Sequence, residues 1–381
     1  MKSILLCLLI IIATACCRLP AQDYKTFPWN KLPVKGLLLS VPSPQDVPLL
    51  CQFITDALPR EGVNTLALRI EYGYQFKTHP GLADKNALSL ADIKQIVAAC
   101  RKARVRLIPT VNLLAHQSEK TEMLPLLAKY PALDESPDYN PPVPWKDGGQ
   151  FDFYSKSLCP RHPDLFGIIF PLIDELIDAC EADALHVGLD EVWILGYDKC
   201  PRCGGSDKAE LFAEYVTRLH DHLEKKRCEM WMWSDRLIDG KTTNLLAWQA
   251  SMNNTYRAID LIPKDIVICD WKYEDAPPTP AYFAIKGFNV LASPCSKTDV
   301  ALAQLDQVMT MRKNAVRADF STVLSSRMKG MFETSWMGAK DFIDAYYGRS
   351  KWKKALENAD TFKKLFDAIR KYEEGKTEKQ P

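Results

Sequence analysis

Short apolar runs recur along the chain, and each is followed by polar residues and then by a stretch with apolar positions at helical spacing. Strands that alternate with amphipathic helices are typical of parallel α/β folds. The runs cover residues 36–39, 65–68, 106–111, 185–188, 230–233, 266–269, 289–292 and 330–332. Because a TIM barrel needs eight such units, we predict a single α/β domain, a (β/α)8 barrel, over residues 31–350.

Three of the intervening helices are clear from the sequence. Ser89 is a favoured N-cap residue before a helix that reaches residue 103, in which Ile93, Ile96 and Cys100 recur on one face. Residues 166–180 and 208–225 have the same periodicity. Residues 351–381 are expected to form a closing helix and a charged tail.

Residues 1–21 have the features of a secretory signal peptide. Lys2 precedes an apolar run over residues 4–15, which is shorter than a comfortable membrane-spanning helix. Ala13-Thr14-Ala15 fits a cleavage site, and with Cys16 it also resembles a lipoprotein box. We therefore expect an exported protein that is secreted or periplasmic, lipid-anchored at Cys16, or held by the uncleaved segment.

The longest irregular stretch, residues 130–157, is rich in proline and follows the third predicted strand. Loops of this length are often binding loops or lids in compact domains. A lid and a solvated surface excursion are both open, although its aromatic residues need a surface to pack against. The aromatic residues are Trp145, Phe151, Phe153 and Tyr154.

Composition narrows the classes of function. The 381 residues carry 49 Lys and Arg against 48 Asp and Glu, a net charge of +1, and 47% of them are hydrophobic. This balance excludes a disordered chain and a multi-span membrane protein, and it gives no electrostatic reason to expect nucleic acid. The 9 Trp and 14 Tyr residues favour flat hydroxylated ligands such as sugars.

Nine of the 12 cysteines follow the signal segment, since Cys7, Cys16 and Cys17 lie in or beside it. Cys200 and Cys203 form a C-x-x-C pair, for which we favour a disulfide or two idle thiols over zinc. A structural zinc ion would need two further ligands, of which Cys159 could be one. No catalytic metal and no cofactor are expected.

Two adjacent carboxylates, Asp190 and Glu191, follow the fourth run. Strand alternation would place His186, Gly188 and Asp190 on one face. Like charges this close resist joint ionisation, so one carboxyl could act as a general acid while its neighbour stays ionised. Glycoside cleavage needs one protonated acid and one ionised carboxylate. The alternative explanation is that Asp190 and Glu191 only cap the start of a helix.

The other predicted strands also end in polar or aromatic residues. In a barrel the carboxyl ends of all strands meet at one rim, so these side chains should converge on a carbohydrate pocket. They are Arg69, Glu71, Tyr72, Asn112, His116, Gln117, Trp233, Asp235, Asp270, Trp271, Tyr273, Glu333 and Trp336.

The segment from His186 to Val192 resembles the H-x-G-x-D-E-V signature of glycoside hydrolase family 20, the β-N-acetylhexosaminidases, which are (β/α)8 barrels. The similarity is greatest to the single-domain group that includes hexosaminidase D. That group shares segments like Ile70-Glu71-Tyr72, Ile108-Pro109 with Ala115-His116, Trp233-Ser234-Asp235 and Trp193-Ile194-Leu195-Gly196.

The resemblance implies an exo-acting enzyme that releases terminal GlcNAc or GalNAc, with retention, through attack by the sugar's own 2-acetamido oxygen. Asp190 would orient the acetamido group, Glu191 would be the acid and base, and His186 would support both. The implied substrate-binding residues are Glu71, His116, His186, Trp233, Asp235, Asp270, Trp271 and Trp336.

Two family features are missing. The first strand lacks the family's sugar-gripping Arg, for which Glu71, His116 or Asp235 could substitute, and the seventh lacks a Tyr that Tyr273 could replace. Two alternatives therefore remain. One is a glycosidase for sugars without the acetamido group, which would use Asp270 or Glu333 as its second carboxylate. The other is a noncatalytic glycan-binding barrel.

Overall fold

The computed structural model describes residues 27–119, 122–139, 143–144, 150–151, 155–314 and 322–376, with only the backbone for 143–144 and 150–151. The predicted signal segment 1–21, with Cys7, Cys16 and Cys17, lies outside the described residues. So do Trp145, Phe153 and Tyr154 of the predicted lid. Within the described ranges, none of the helices combines the length and the apolarity that crossing a bilayer requires.

Eight parallel strands close into a barrel, in which each strand pairs with its chain neighbours and β8 returns to β1. The strands are β1 Val34–Ser40, β2 Thr65–Arg69, β3 Arg106–Thr110, β4 Ala184–His186, β5 Glu229–Trp233, β6 Val267–Trp271, β7 Asn289–Ser293 and β8 Met328–Gly338. The predicted (β/α)8 fold is confirmed. We call the rim formed by the carboxyl ends of the strands the mouth.

Helices surround the barrel, although the connection after β5 contains only short ones. The longer helices are α1 Val47–Glu61, α2 Leu90–Ala103, α3 Leu165–Cys180, α4 Lys208–Lys225, α5 Thr279–Ile285, α6 Thr298–Asn314, α7 Ala339–Tyr346 and α8 Lys353–Glu373. Short helices span Pro125–Lys129, Gly240–Thr243, Leu246–Gln249 and Thr322–Arg327, and 3₁₀ turns span Pro44–Asp46, Pro131–Leu133, Asp235–Leu237 and Thr255–Asp260.

The described part of the 130–157 stretch is less irregular than its sequence predicts. Besides the turn Pro131–Leu133, strand Val143–Pro144 pairs antiparallel with Gln150–Phe151. A second small hairpin joins Ser118–Glu119 to Glu122–Met123, nearer to β3.

The start of α2 shows how local sequence determines an element boundary. The Ser89 hydroxyl accepts from the Asp92 backbone N–H at 3.2 Å, and the Asp92 carboxylate accepts from the Ser89 N–H at 2.9 Å. This capping box satisfies amide donors that have no partner within the helix. The predicted helix start is therefore correct.

Alternation along the strands separates two cores. Leu38, Trp231, Trp233 and Phe332 belong to the cluster that fills the barrel, whereas Leu37 belongs to the larger cluster between barrel and helices. At Gly36, a Cβ would lie 2.7 Å from the Phe332 ring, so only glycine leaves room for that ring. The side to which each strand-end residue points follows from this alternation.

At the end of the barrel opposite the mouth lies Arg312, a residue of α6 that is 1% exposed. Its guanidinium donates to the backbone oxygens of Pro28, Trp29 and Lys31 and to that of Met328, at the start of β8. These bonds attach residues 27–32 to the base of the barrel.

Candidate active site

The chain turns sharply after β4, where Gly188, Leu189 and Glu191 have φ values of 72°, 70° and 50°. The prediction of regular strand alternation up to Asp190 is therefore wrong, because β4 ends at His186. A Cβ at Gly188 would lie 2.7 to 2.9 Å from atoms of Asn112, which excludes larger residues there. Left-handed conformations are costly for residues other than glycine and cluster at functional sites.

Asp190 is held by two side chains from the loop after β3. Its Oδ1 accepts from Asn112 Nδ2 at 2.7 Å, and its Oδ2 lies 3.3 Å from His116 Nε2. Burial alone would raise the pKa of Asp190, but the nearby His116 charge and hydrogen bond hold that pKa below its ordinary value. Asp190 is therefore ionised at neutral pH.

Glu191 is fixed from both ends of its backbone. Its N–H donates to Asp235 Oδ2 at 2.9 Å, and its carbonyl oxygen accepts from Ser155 Oγ at 3.0 Å. Its side chain is 5% exposed, with Oε2 3.3 Å from His116 Nε2. A carboxyl group held this firmly has the preorganisation that a proton donor needs.

His116 lies between the two acids. Its backbone, in the left-handed region at φ 55°, donates to Ser155 Oγ at 3.1 Å. Burial would lower the pKa of His116, but the charges of Asp190, Glu191 and Glu71 outweigh burial and raise that pKa to about 9. The imidazole is therefore a cation that lies between the two acidic side chains.

Asp235 supports this arrangement from below the pocket and is fully buried. Besides the Glu191 N–H, its carboxylate accepts from Arg236 Nε at 2.6 Å and from Trp271 Nε1 at 3.2 Å. The expectation that Asp235 binds substrate is wrong, because protein donors surround a carboxylate that solvent does not reach. It is a positioning residue for Glu191 and Trp271.

Glu71 lies beside the same loop, with Oε2 accepting from the Asn112 backbone N–H at 3.0 Å. Burial, opposed by Arg69, raises the pKa of Glu71. The neighbouring Tyr72 hydroxyl donates to Gln117 Oε1 at 2.7 Å, and Gln117 Nε2 donates to the Asn112 carbonyl at 3.1 Å. This network fixes the loop that presents Asn112 and His116.

Aromatic side chains form the wall of the mouth. The Trp233 and Trp336 rings are 5.6 Å apart, and those of Trp271 and Tyr273 are 5.2 Å apart. Trp336 Nε1 donates to the Tyr273 hydroxyl at 2.9 Å, which joins the two pairs. Trp336 is 36% exposed, and Arg69 lies 5.4 Å above its ring. A sugar ring could stack on this surface while Arg69 binds its hydroxyls.

His186 does not support the carboxylates in the way its position suggested. It is fully buried, its ring lies 4.2 Å from that of Trp233, and its Nδ1 accepts from the Gly188 N–H at 3.1 Å. Burial lowers the pKa of His186 to about 3, so the ring is neutral. It shapes the floor and the turn after β4 rather than binding substrate.

Asp270 and Glu333 are also wrongly predicted to face the mouth. Trp271 and Phe332 belong to the cluster inside the barrel, so the residues before and after them in the strands face the helices. Asp270 accepts from Ser234 Oγ at 2.7 Å, Lys272 Nζ at 3.0 Å and Thr279 Oγ1 at 2.5 Å. Neither residue is available to a ligand in the mouth.

Glu333 is fully buried, and neither of its oxygens has a hydrogen-bond partner among the described residues. Burial raises the pKa of Glu333 well above its ordinary value, so the carboxyl is protonated at neutral pH. A neutral carboxyl on the outer face of the barrel wall is unsuited to act as a nucleophile.

Sequence reasoning missed Ser155 and Arg236. Ser155 connects His116 to Glu191 across 39 and 36 positions of the chain, and Arg236 braces Asp235 while its guanidinium lies 4.6 Å from the Trp193 ring. No periodicity or motif marks a loop serine. Arg236, in contrast, directly follows Asp235 and could have been suggested as its partner.

A parallel eight-stranded barrel with paired acids at its mouth defines the class of (β/α)8 glycoside hydrolase domains. Residues 69–335 match Glycosyl hydrolase family 20, catalytic domain. Because the match spans more than half of the sequence, the chain belongs to glycoside hydrolase family 20, as the segment around Asp190 and Glu191 predicts. A search of curated proteins finds no significant match.

Solved structures support the fold. A Flavobacterium johnsoniae chitobiase aligns with a TM-score of 0.59 and 18% identity, covering 90% of this chain and 52% of that one. An exo β-N-acetylglucosaminidase from Vibrio harveyi aligns with a TM-score of 0.56 and 15% identity, covering 92% and 59%. A β-N-acetylhexosaminidase from Bacteroides fragilis aligns with a TM-score of 0.52 and 15% identity, covering 87% of this chain and 66% of that one. The chain thus spans about half to two thirds of the length of these proteins.

Proposed function

We propose that the protein is an exo-acting β-N-acetylhexosaminidase that releases terminal GlcNAc or GalNAc from glycans by substrate-assisted, retaining catalysis. The observation that carries the proposal is that Asp190 and Glu191, chain neighbours, share one imidazole at 3.3 Å from each. Pairs that cleave glycosides without help from the substrate stand about 5 to 10 Å apart, on either side of the bond.

In the first step the acetamido oxygen of the bound sugar attacks the anomeric carbon, and the bond to the leaving oxygen breaks. Glu191 gives its proton to that oxygen. Asp190, kept ionised by Asn112 and His116, accepts the acetamido N–H and stabilises the positive charge that develops on the ring.

In the second step Glu191, now a carboxylate, removes a proton from water while the water oxygen attacks the anomeric carbon. The bond from that carbon to the acetamido oxygen breaks, which restores the acetamido group and regenerates the protonated acid. His116 remains within 3.3 Å of Glu191 and offsets its negative charge between the two steps.

Substrate recognition falls to side chains at the mouth, of which Arg69 and Trp336 are more exposed than Trp233 and Trp271. Arg69 is paired in register with Ser40 at the end of β1, the strand that lacks the family's Arg. Arg69 therefore binds the sugar hydroxyls in place of Glu71, His116 or Asp235. Trp233, Trp271 and Trp336 enclose the acetamido group and the sugar face.

The alternative glycosidase needs a second ionised carboxylate in the mouth. Asp270 and Glu333 face the helices, and Glu71 is pushed toward its neutral form by burial. These placements favour the acetamido oxygen as the nucleophile. No observation favours the noncatalytic alternative.

The decisive experiment measures turnover of aryl β-glycosides of GlcNAc, GalNAc, Glc and Gal. We expect cleavage only of the two acetamido sugars, with rates that fall as fluorine atoms on the acetyl methyl weaken its carbonyl oxygen. Glu191→Gln should lose about 10² to 10⁴-fold in kcat/KM, which reports the first step, with poor leaving groups and much less with activated ones. Asp190→Asn should slow both kinds of leaving group.

Glu122→Gln is the matched control, because Glu122 is exposed in the hairpin that follows His116. It should leave the kinetics unchanged. Equal turnover of glucosides and N-acetylglucosaminides, or indifference to fluorination, would overturn the substrate-assisted mechanism, and full activity of Glu191→Gln would overturn the proposed acid.

The proposal includes export, for which the support is the apolar run over residues 4–15 behind Lys2. Cell fractionation with intact-mass measurement separates the three forms. A free mature chain indicates secretion or periplasmic release, an added lipid mass at Cys16 indicates anchoring, and an intact amino terminus indicates retention of the segment.

A further inference from the structure

Three cysteine sulfurs meet beside the loops that carry the active-site residues. Sγ of Cys159 lies 3.6 Å from that of Cys200 and 3.9 Å from that of Cys203. All three residues are buried and none forms a disulfide. Cys159 belongs to the connection between β3 and α3, whereas Cys200 and Cys203 belong to the one between β4 and α4.

The separations have the size that a tetrahedral zinc ion imposes. Two sulfurs each about 2.3 Å from zinc at tetrahedral angles lie about 3.8 Å apart. Disulfide sulfurs lie only about 2.05 Å apart. The two separations from Cys159 Sγ fall on either side of 3.8 Å, and all three sulfurs lie within 4.8 Å of one another, so a zinc ion would fit between them with little movement.

Glu135, which contacts Cys203, offers a carboxylate that a metal ion could draw in as its fourth ligand. Its Oε1 accepts from Cys203 Sγ at 2.8 Å and from the Tyr197 N–H at 3.0 Å. Its Oε2 has no hydrogen-bond partner among the described residues, although the side chain is only 1% exposed. Burying an unpaired carboxyl oxygen is costly, and a cation among the sulfurs would provide its partner.

The turn that carries Cys200 and Cys203 is tight, and it keeps their sulfurs within 4.8 Å of each other. The Gly204 N–H donates to the Cys200 carbonyl at 2.9 Å. A Cβ at Gly204 would lie 2.5 Å from the Asp198 oxygen and 2.7 Å from the Cys200 oxygen, so the turn requires glycine there. Two cysteines separated by two residues are a common ligand spacing in structural zinc sites.

We propose that Cys159, Cys200, Cys203 and Glu135 form a structural Zn²⁺ site. The sequence favours a disulfide or idle thiols because it does not reveal that Glu135 and Cys159 meet the C-x-x-C pair. The site ties together two connections, one with Ser155 four residues before Cys159 and the other with Glu191 nine residues before Cys200. It takes no part in the proposed hydrolysis and does not depend on it.

The test is the metal content of the purified full-length protein, measured by elemental analysis after dialysis. We expect about one zinc per chain, and at least tenfold less in Cys159→Ser and Cys200→Ser. Glu135→Gln should retain zinc about tenfold more weakly. Cys51→Ser is the matched control, because this half-buried cysteine lies on α1, and it should keep its zinc.

Two further measurements do not depend on the stability of the variants. Removing the metal from the wild-type protein with a chelator should lower Tm by about 5 to 10 °C, and added Zn²⁺ should restore it. Substitution by Co²⁺ should produce sulfur-to-cobalt charge-transfer absorption. The proposal would be overturned if the purified wild-type protein contained no zinc and its Tm did not change when Zn²⁺ was added. It would also be overturned by an intact mass 2 Da below that of the reduced chain together with two fewer free thiols, because these indicate a disulfide.

Discussion

Nε2 of His116 lies 3.3 Å from Oδ2 of Asp190, so the charge of the imidazole is coupled directly to that of the carboxylate. Only ionised Asp190 can stabilise a developing positive charge on the substrate. His116 therefore provides the countercharge that allows a buried acid to stay ionised.

Replacing His116 by Asn should make stability less dependent on pH. Asn is suitable because it tolerates the left-handed backbone of this position. A pKa raised from 6.5 to about 9 stabilises the fold fully below pH 6.5, and this stabilisation is lost as the pH rises to 9. The difference between wild type and His116→Asn should reach on the order of 3 kcal/mol near pH 6 and vanish above pH 9.

Urea unfolding at pH 6, 7.5 and 9.5 measures this difference directly. A gap between the two proteins that stays constant over this range would show that the imidazole charge does not stabilise the fold.

Replacing Arg69 by Met should weaken substrate binding more than the chemical step. Arg69 lies above the exposed Trp336 ring. We expect it to bind sugar hydroxyls equally well in the ground state and in the transition state. Losing a hydrogen bond to a charged group costs about 1.5 to 3 kcal/mol, so KM should rise about tenfold or more while kcat changes little.

Arg349→Met is the matched control for Arg69→Met, because Arg349 also lies over an aromatic ring, that of Tyr347, outside the mouth. Its kinetics should match those of the wild type. A fall in kcat at unchanged KM in Arg69→Met would place Arg69 in the chemical step instead.

Replacing Gly188 by Ala should damage both stability and activity. The new Cβ would adopt a left-handed conformation and lie within 2.9 Å of Asn112, the donor to Asp190. Left-handed strain alone costs about 1 to 3 kcal/mol, and a displaced Asn112 would release Asp190. Thermal unfolding and kcat should both decrease.

Gly167→Ala is the control for Gly188→Ala. Gly167 lies on α3, and no other atom would come within 4 Å of a Cβ added there. Alanine should therefore be neutral or stabilise the protein by about 0.5 to 1 kcal/mol. Equal effects of the two substitutions would contradict the role of Gly188 in positioning Asn112.

Replacing Glu333 by Gln should leave turnover unchanged. It should also remove a loss in the free energy of unfolding that grows with pH in the wild type. Because burial raises the pKa of Glu333, the folded protein keeps a proton that the unfolded chain releases above about pH 4.5. Between the pKa of the unfolded chain and the raised pKa of the folded protein, the wild type loses up to about 1.4 kcal/mol per pH unit relative to Glu333→Gln.

Unfolding free energies of Glu333→Gln and the wild type at pH 5 and pH 8 measure this slope. Glu333→Met is the control for the effect of burying the amide of Gln. A large fall in kcat in Glu333→Gln would instead support Glu333 as a second catalytic carboxylate.

The faces of the strands are where the sequence was least informative. All eight strands and the Ser89 cap could be predicted from apolar runs and spacing. Parallel strands buried on both sides, however, carry apolar residues on both faces, so the pattern alone does not say which face is inside. The sequence therefore wrongly predicts that Asp270 and Glu333 face the mouth.

Loop geometry was the second limit. Asp190 and Glu191 are recognisable by their adjacency, but the early end of β4 depends on Leu189 and Glu191 adopting positive φ, which side chains other than glycine seldom do. The contacts of Ser155 with His116 and Glu191 arise from the path of a long loop. Periodicity has no bearing on such a path.

The bonds from Arg312 to residues 28–31 have a practical consequence for the whole molecule. Glu373, at the end of α8, meets Lys35 at 2.9 Å and the Leu32 N–H at 3.0 Å, so both ends of the described chain emerge at the base. A surface, a carrier or a second module joined close to either of these ends would therefore lie on the side of the barrel opposite the mouth.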